Sequence, residues 1–384
     1  MEQPSRGPHE RSAVSPHPIY SQNARVHLVA AEDMLACFRQ AIIQSGFSDH
    51  LQGLWRASGK LKQNFRIAIK PNIMTASIQE RDSPVYTDPR LVEELIGQLR
   101  EQGFSQIAVV ETQNVYNYSY TGRTVRAVAQ LCGYSGEGYQ VLDLSEDSVE
   151  FDYGGPLGRH RVGRVWLEAD YRISFAKNKS HWQCFYTACL KNVYGCLPEW
   201  DKMKHYHGRG IEFFQSTVLI ADAFPVHFGF LDAWTSGDGL TGHVRDAHPN
   251  PTRVILASDN IYALDWVAGE KMQIRPTKNY VLQEALKRWG PIRIERVGDR
   301  TPWYPWRNVR PLVVASLNLL EEFYWFSRIM SRAMASRMDV RFPPVSRWQW
   351  FFGITQALVR LIEGILTSGV KPALPDEHVY EMSL

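Results

Sequence analysis

No Cys-x-x-Cys pair occurs anywhere in this 384-residue chain. Its five cysteines, Cys37, Cys132, Cys184, Cys189 and Cys196, are an odd number. Count and spacing together argue against a disulfide framework, a zinc ribbon or a ferredoxin-type iron–sulfur cluster. Charge of either sign is scarcely in excess. The 43 Lys and Arg against 40 Asp and Glu leave a net +3, which gives no footing for a nucleic-acid partner. No uncharged apolar run reaches the roughly 18–20 residues that span a bilayer. No apolar leader opens the chain either. Met1–Gln22 carries Pro4, Pro8, Pro16 and Pro18 among Ser, Arg and His, and residues 1–23 read as a disordered tail. With reduced cysteines, that reading points to the cytoplasm.

What is present is a globular composition, 44% hydrophobic and 22% charged, in a chain long enough for two to three domains at about 150 residues each. From residue 24 to 300 short apolar runs alternate with segments of helical period. The run from Phe65 to Pro71 reads as a strand stopped by its proline. Asp88 and Pro89 then suit the cap and first turn of a helix whose Leu91, Val92, Leu95, Ile96 and Leu99 share one face, with Gly103 ending it. Gln106–Val110 is a second buried strand, followed by a helix near residues 124–131 and a strand at 140–144. Tyr171–Ala176 and Arg253–Ala257 add two more, the latter leading into a helix capped by Ser258-Asp259. Such an order predicts an α/β fold, a mostly parallel sheet flanked by helices. Residues 151–167, with Gly154-Gly155-Pro156 and Gly158, read as a hairpin or loop insertion.

The densest chemistry lies between Lys177 and His207. Lys177, Lys179 and His181 follow the strand expected to end near Ala176, where ligands of open parallel sheets bind. Lys191 and Asn192 come next, then Lys202, Lys204, His205 and His207. Five lysines and three histidines within this span form a cationic field suited to a carboxylate, phosphate or enolate. Lys70 and Asn72 end an earlier strand in the same way, and Glu111 ends the next, able to pair with a lysine or orient a histidine. Lysines, taken singly, are usually solvated surface groups.

Gly237-Asp238-Gly239-Leu240-Thr241-Gly242 matches Gly-x-Gly-x-x-Gly, but it precedes Pro249-Asn250-Pro251 rather than a helix, so it is not a dinucleotide fingerprint. A glycine-rich active-site loop is the expectation, with Asp238 and Gly239 facing the ligand. Asp222, Asp232, Asp238, Asp246, His227, His243 and His248 leave a divalent metal open without any recognised ligand spacing.

In order and spacing, Lys70-Pro71-Asn72, Thr87-Asp88-Pro89, Glu111, Lys177–His181, Leu190–Gly195, the Gly237–Gly242 loop and Ser258-Asp259 with Ala263-Leu264-Asp265 resemble the domain of unknown function 362 family, from about Lys70 to Lys271. Many relatives carry a ferredoxin-like iron–sulfur module, which implies electron transfer in those proteins. This chain has no clustered cysteine quartet.

Residues 301–384 differ from the rest. They hold Trp303, Trp306, Trp325, Trp348 and Trp350. Leu319, Phe323, Phe326 and Met330 fall on one helical face, and Ile354, Leu358, Leu361, Ile362, Ile365 and Leu366 on another. Arg328, Arg332, Arg337, Arg341, Arg347 and Arg360 flank them. This helical, aromatic-rich appendage, including an amphipathic helix expected over Val345–Val370, packs on the main domain or a sister subunit, or lies on a membrane surface.

Two functions follow. The first is an enzyme acting on a small anionic or carbonyl-bearing substrate by acid–base chemistry of isomerase or lyase type. In it Lys177, Lys179 and Lys191 hold the anion, His181 is the acid or base, and Glu111, Lys70, Asn72, Asn192, Lys202, His205, Asp238 and Gly239 complete the pocket. The second is a non-catalytic module in which the same pocket docks a cofactor or an acidic electron carrier.

Overall fold

The computed structural model describes residues 14–74, 82–198, 202, 211–239, 242, 248–304, 306 and 310–323, and beyond them 325–326, 329, 342–345, 354, 357 and 361. In chain order its strands are β1 (Ala24–Ala30), β2 (Arg66–Pro71), β3 (Gln106–Glu111), β4 (Gln140–Asp143), β5 (Ser148–Asp152), β6 (Arg159–Gly163), β7 (Tyr171–His181), β8 (Phe185–Thr187), β9 (Phe228–Asp238), β10 (His248–Asn250), β11 (Val254–Ser258) and β12 (Ile294–Gly298). Its helices are α1 (Met34–Gln44), α2 (Phe47–Ser58), α3 (Pro89–Glu101), α4 (Val125–Cys132), α5 (Arg164–Leu167), α6 (Cys189–Val193), α7 (Ile211–Ala223), α8 (Ile261–Lys271), α9 (Tyr280–Trp289) and α10 (Pro311–Glu321).

The strands form one sheet in the order β12-β1-β11-β9-β7-β2-β3-β4, with β8 added to β7 and β10 to β9. The β9-β7-β2-β3-β4 run is parallel throughout, whereas β11 lies antiparallel between β1 and β9. This is the mostly parallel α/β sheet expected from the order of elements. Side chains of α1 to α4 cover one face, where Phe38, Leu51, Leu95 and Val128 meet Ile69, Val109, Ile173 and Phe230. Side chains of α6 to α9 and the β5–β6 hairpin cover the other. Two-sided burial is why the central strands read as unbroken apolar runs. The α3 helix starts as expected: the Asp88 carboxylate accepts the Arg90 N–H and Pro89 occupies the first turn.

Four local expectations are corrected. Residues 14–23 are ordered, not tail: Tyr20 is fully buried, stacks on Trp289 at 4.2 Å between ring centroids, and its hydroxyl accepts the Val226 N–H. Residues 1–13 lie outside the described chain. β7 does not stop at Ala176 but runs on to His181, because β8 pairs with its far end (Lys179 with Thr187, His181 with Phe185) and β9 with its other side. Gly237 and Asp238 close the β9 strand instead of forming a loop, paired with His248 and Pro249. The cap of α8 is Asn260, whose side chain accepts the Tyr262 and Ala263 N–H groups, while Ser258 Oγ accepts the Asn260 N–H. The insertion after β4 is a hairpin, β5 with β6, followed by α5.

The C-terminal region begins on the carboxyl-end side of β9. Trp303 and Trp306 are buried against each other, and the Trp306 indole N–H donates to the Gly237 carbonyl at 3.2 Å. Asn318 on α10 donates to the Gln183 carbonyl at 2.9 Å. Residues 343–345 pair with the backbone of Ser119–Thr121. The remainder of the expected 345–370 helix lies outside the described residues except 354, 357 and 361, and Met330, Trp348 and Trp350 lie outside with it.

Candidate functional site

The ends of β2 and β3 are parallel neighbours, and they bring Lys70 and Glu111 together. The Lys70 ammonium stands 2.8 Å from Glu111 Oε2 and also donates to the Pro71 carbonyl (2.7 Å) and to Asn192 Oδ1 (3.2 Å). All three of its protons are thereby used. Glu111 Oε1 accepts the Thr112 N–H. Asn192 locks α6 onto this pair: its amide donates to the Lys70 carbonyl and Ser174 Oγ, and its oxygen also accepts from Asn72. Asn72 in turn accepts the Lys177 N–H. Gly195 lies against the ion pair; a Cβ there would sit 2.7 Å from Lys70 Cε and 3.0 Å from Glu111 Oε1.

Two lysines of the same neighbourhood are differently placed. Lys202 is buried, and its ammonium donates to Thr112 Oγ1 at 2.8 Å. Burial, opposed by Glu111 and reinforced by Lys70, brings its pKa down to about 8. Lys191, in the last turn of α6, is part-exposed. Its ammonium lies 5.4 Å from the Tyr194 ring and 5.3 Å from the Phe213 ring and meets no hydrogen-bond acceptor among the described residues. Lys202 is 5.4 Å from the same Tyr194 ring. Desolvation first, and the like charge of Lys70 after it, lower the Lys191 pKa.

The start of α6 is held by Asp265 of α8, whose carboxylate accepts the Leu190 N–H at 3.0 Å. Burial pushes this carboxyl up to about 8. Lys177 is 1% exposed and pairs with Asp232 of β9 at 2.9 Å. Asp232 also accepts the Asp88 and Trp234 N–H groups, and burial raises its pKa against the pull of Lys177.

Lys179 and His181 belong to a separate stretch, the hairpin of β7 with β8, and both are buried. His181 Nδ1 accepts the Gln183 N–H. Asp238 and Gly239 meet this hairpin through Ser180, whose hydroxyl lies 3.5 Å from Asp238 Oδ1 and accepts the Gly239 N–H at 3.1 Å. His205, with Lys204 and His207, lies outside the described residues.

Of the residues singled out from sequence, then, Lys70, Asn72, Glu111 and Asn192 are gathered into one network with Lys191 and Lys202 beside it. Lys177 is tied to Asp232, and Lys179, His181, Asp238 and Gly239 stand together further along β7. Phe213, on α7, carried no signal. Tyr194 and Asp265 lay inside the quoted motifs without an assigned role.

Among the described residues, no three His, Cys, Asp or Glu side chains come together in a way that could hold a metal ion. Asp222 is bound to Arg288 and Trp289, and His227 lies stacked on Tyr171. The five cysteines are buried thiols outside any disulfide, and burial lifts the Cys184 and Cys196 thiols to about 12. A cleft of about 440 Å³ lined by Arg66, Gln106, Tyr139, Gln140 and Glu168 lies at the amino ends of β2, β3 and β4, away from this cluster.

An α/β sheet with buried, side-chain-bridged lysines at the carboxyl ends of its parallel strands defines the class. The chain belongs to the family described as domain of unknown function (DUF362), whose model matches residues 67–270. It is 27% identical over 227 residues to the thylakoid-associated protein sll1697 of Synechocystis, a match taking in 56% of this chain and 65% of that protein. The chain thus spans under two thirds of that relative's length. Among solved structures it is similar to the lactate racemase apoprotein of Thermoanaerobacterium thermosaccharolyticum, with a TM-score of 0.35 and 13% identity, over 55% of this chain and 50% of that one. A likeness that distant bears on neither fold nor chemistry.

Proposed function

We propose that the protein is an enzyme that binds a small carboxylate- or carbonyl-bearing anion beside Lys191 and Lys202 and works on it by proton transfer, as an isomerase or lyase. One observation carries this reading: among the described residues Lys70, Lys191 and Lys202 interact with a single carboxylate, Glu111, and Lys70 alone makes the ion pair with it. Among the described residues two ammonium groups are left without an ion-pairing carboxylate, in surroundings that penalise charge, and an anionic ligand would offset that penalty. An amine titrating near 8 can also give or take a proton close to neutral pH. His181 remains a second candidate acid or base.

Oxalate, an anion with no reducible group, serves as the probe, and its binding is followed by calorimetry. Binding to the full chain, lost in Lys191→Met and Lys202→Met and kept in the surface variant Lys287→Met, supports the site. Equal binding by all four proteins overturns it. A stoichiometric flavin or iron–sulfur absorption in protein purified without oxygen would instead favour the non-catalytic redox module.

A membrane-surface location is supported separately. Leu312 and Leu319 on α10 are 82% and 61% exposed, and Phe323 and Trp325 just beyond it are exposed as well. Residues 323–361 carry six arginines against one acidic residue, Asp339. Among the described residues no helix is long and apolar enough to cross a membrane, so an interfacial mode is the fitting one. The relative in Synechocystis is itself named for association with thylakoids. Co-flotation with vesicles containing anionic lipid, weakened in a Leu312→Gln/Leu319→Gln/Phe323→Gln variant, is the expected result. A full chain that stays behind in the soluble fraction would rule the location out.

A further inference from the structure

The four lysines of the site differ in one respect that bears on chemistry. Lys70 spends its three protons on three acceptors, Lys177 faces Asp232, and Lys202 donates to Thr112 Oγ1. Lys191 Nζ alone of the four meets no acceptor among the described residues. Ring faces of Tyr194 and Phe213 flank it instead, an environment that shelters an uncharged amine as readily as it attracts a charged one. Its backbone is fixed at both ends of a short helix, by Asp265 holding the Leu190 N–H and by Asn192, the next residue, bonded into the Lys70–Glu111 pair. The residue as a whole is part-exposed. A second amine, Lys202, stands at the same Tyr194 ring.

We propose that Lys191 is a covalent nucleophile that forms an imine with a carbonyl substrate of the 2-oxo-acid class, Lys202 holding the substrate carboxylate. This rests on the anion-site reading above and goes beyond it by naming the substrate class and the bond. The lone pair of the neutral Lys191 amine attacks the carbonyl carbon, and the C=O π pair moves onto oxygen, which takes up a proton. The nitrogen sheds one proton. A second protonation of the hydroxyl then lets it leave as water while the nitrogen lone pair closes the C=N bond. Counted from the ammonium form, Lys–NH₃⁺ and carbonyl give the iminium and one water, with no oxidant or reductant consumed. The iminium then draws electrons from the adjacent carbon, which is what an isomerase or lyase step requires. The lowered Lys191 pKa supplies the neutral amine that the first step needs.

The test uses the full chain with pyruvate as carbonyl probe and borohydride as trap, the reduced adduct being located by peptide mass spectrometry. Adduct concentrated on Lys191, absent from Lys191→Arg and suppressed by oxalate in the wild type, is the expected result. Adduct absent, or spread evenly over lysines and unchanged in Lys191→Arg, overturns the proposal. Protection of Lys191 and Lys202 by oxalate from acetic anhydride is measured in parallel on the wild-type protein. Protection without a pyruvate adduct removes the imine and leaves the anion site standing. Loss of both removes the two together. Because trapping and protection are read on the unmodified chain, a variant that fails to fold does not decide the outcome.

Discussion

Lys70 and Glu111, 41 positions apart in sequence, form an ion pair of 2.8 Å at the adjoining ends of β2 and β3, with side chains 1% and 8% exposed. A pair so removed from water contributes little net stability but is costly to break, since the survivor is a buried uncompensated charge. Glu111→Ala is therefore expected to destabilise the protein by about 3–5 kcal/mol in urea unfolding. Lys70→Met with Glu111→Leu, which removes both charges, should recover a large part of that loss.

Gly195 has its own test. A methyl group there would press on Lys70 Cε and Nζ and on Glu111 Oε1 at 2.7 to 3.0 Å. Gly195→Ala is expected to cost about 1–3 kcal/mol by overpacking and to weaken oxalate binding as the pair shifts. A variant with unchanged thermal midpoint would show that the lysine stem moves aside freely.

Lys202 makes a pH prediction. Its folded pKa of about 8 lies below the ordinary lysine value of 10.5, so between these pH values the unfolded chain holds a proton that the native one lacks. Stability attributable to this residue should accordingly rise as pH goes from about 8 to 10.5, and the rise should vanish in Lys202→Met. In the native protein, acetylation of Lys202 should reach half its maximal rate near pH 8, well below exposed lysines. A midpoint indistinguishable from theirs would remove it as an acid–base group.

His227 works at the acid end. Its ring stacks on Tyr171, Nδ1 accepts the Arg172 N–H, and burial with the charge of Arg172 depresses its pKa to about 3. The native state keeps the ring neutral where the unfolded chain, with a value near 6.5, takes a proton. Stability should then fall as pH drops from 6.5 towards 3, with a slope of about 1.4 kcal/mol per pH unit for this one proton. His227→Asn retains an acceptor without the titration, and its unfolding free energy should depend less steeply on pH over that interval.

The run β2–α3–β3–α4–β4 was legible in the sequence because its signals are local. Two-sided burial makes each strand a continuous apolar stretch, Asp88 and Pro89 start α3 through bonds to their own neighbours, and Leu91, Val92, Leu95, Ile96 and Leu99 repeat at helical spacing. The family was legible for a related reason, since its motifs sit at the ends of those same elements and keep their order along the chain. That lysines, asparagines and Glu111 cluster at strand ends could be read in the same way. Which lysine is neutralised and which is not could not. Lys177 meets Asp232 across 55 positions and Lys70 meets Asn192 across 122, contacts that depend on which strands lie side by side. The length of β7 was likewise settled by its partners: Lys179 to His181 are polar, and only the pairing with β8 and β9 makes them strand. Tyr20, in a proline-rich stretch that looks unstructured, is ordered by Trp289 and Val226 far along the chain. Hydrophobic period and caps are properties of neighbouring residues, so sequence alone determined the β2–α3–β3–α4–β4 run. Charge pairing and desolvation depend on distances through space, so the tertiary structure alone decided that Lys191 and Lys202 are amines without an ion-pairing carboxylate among the described residues.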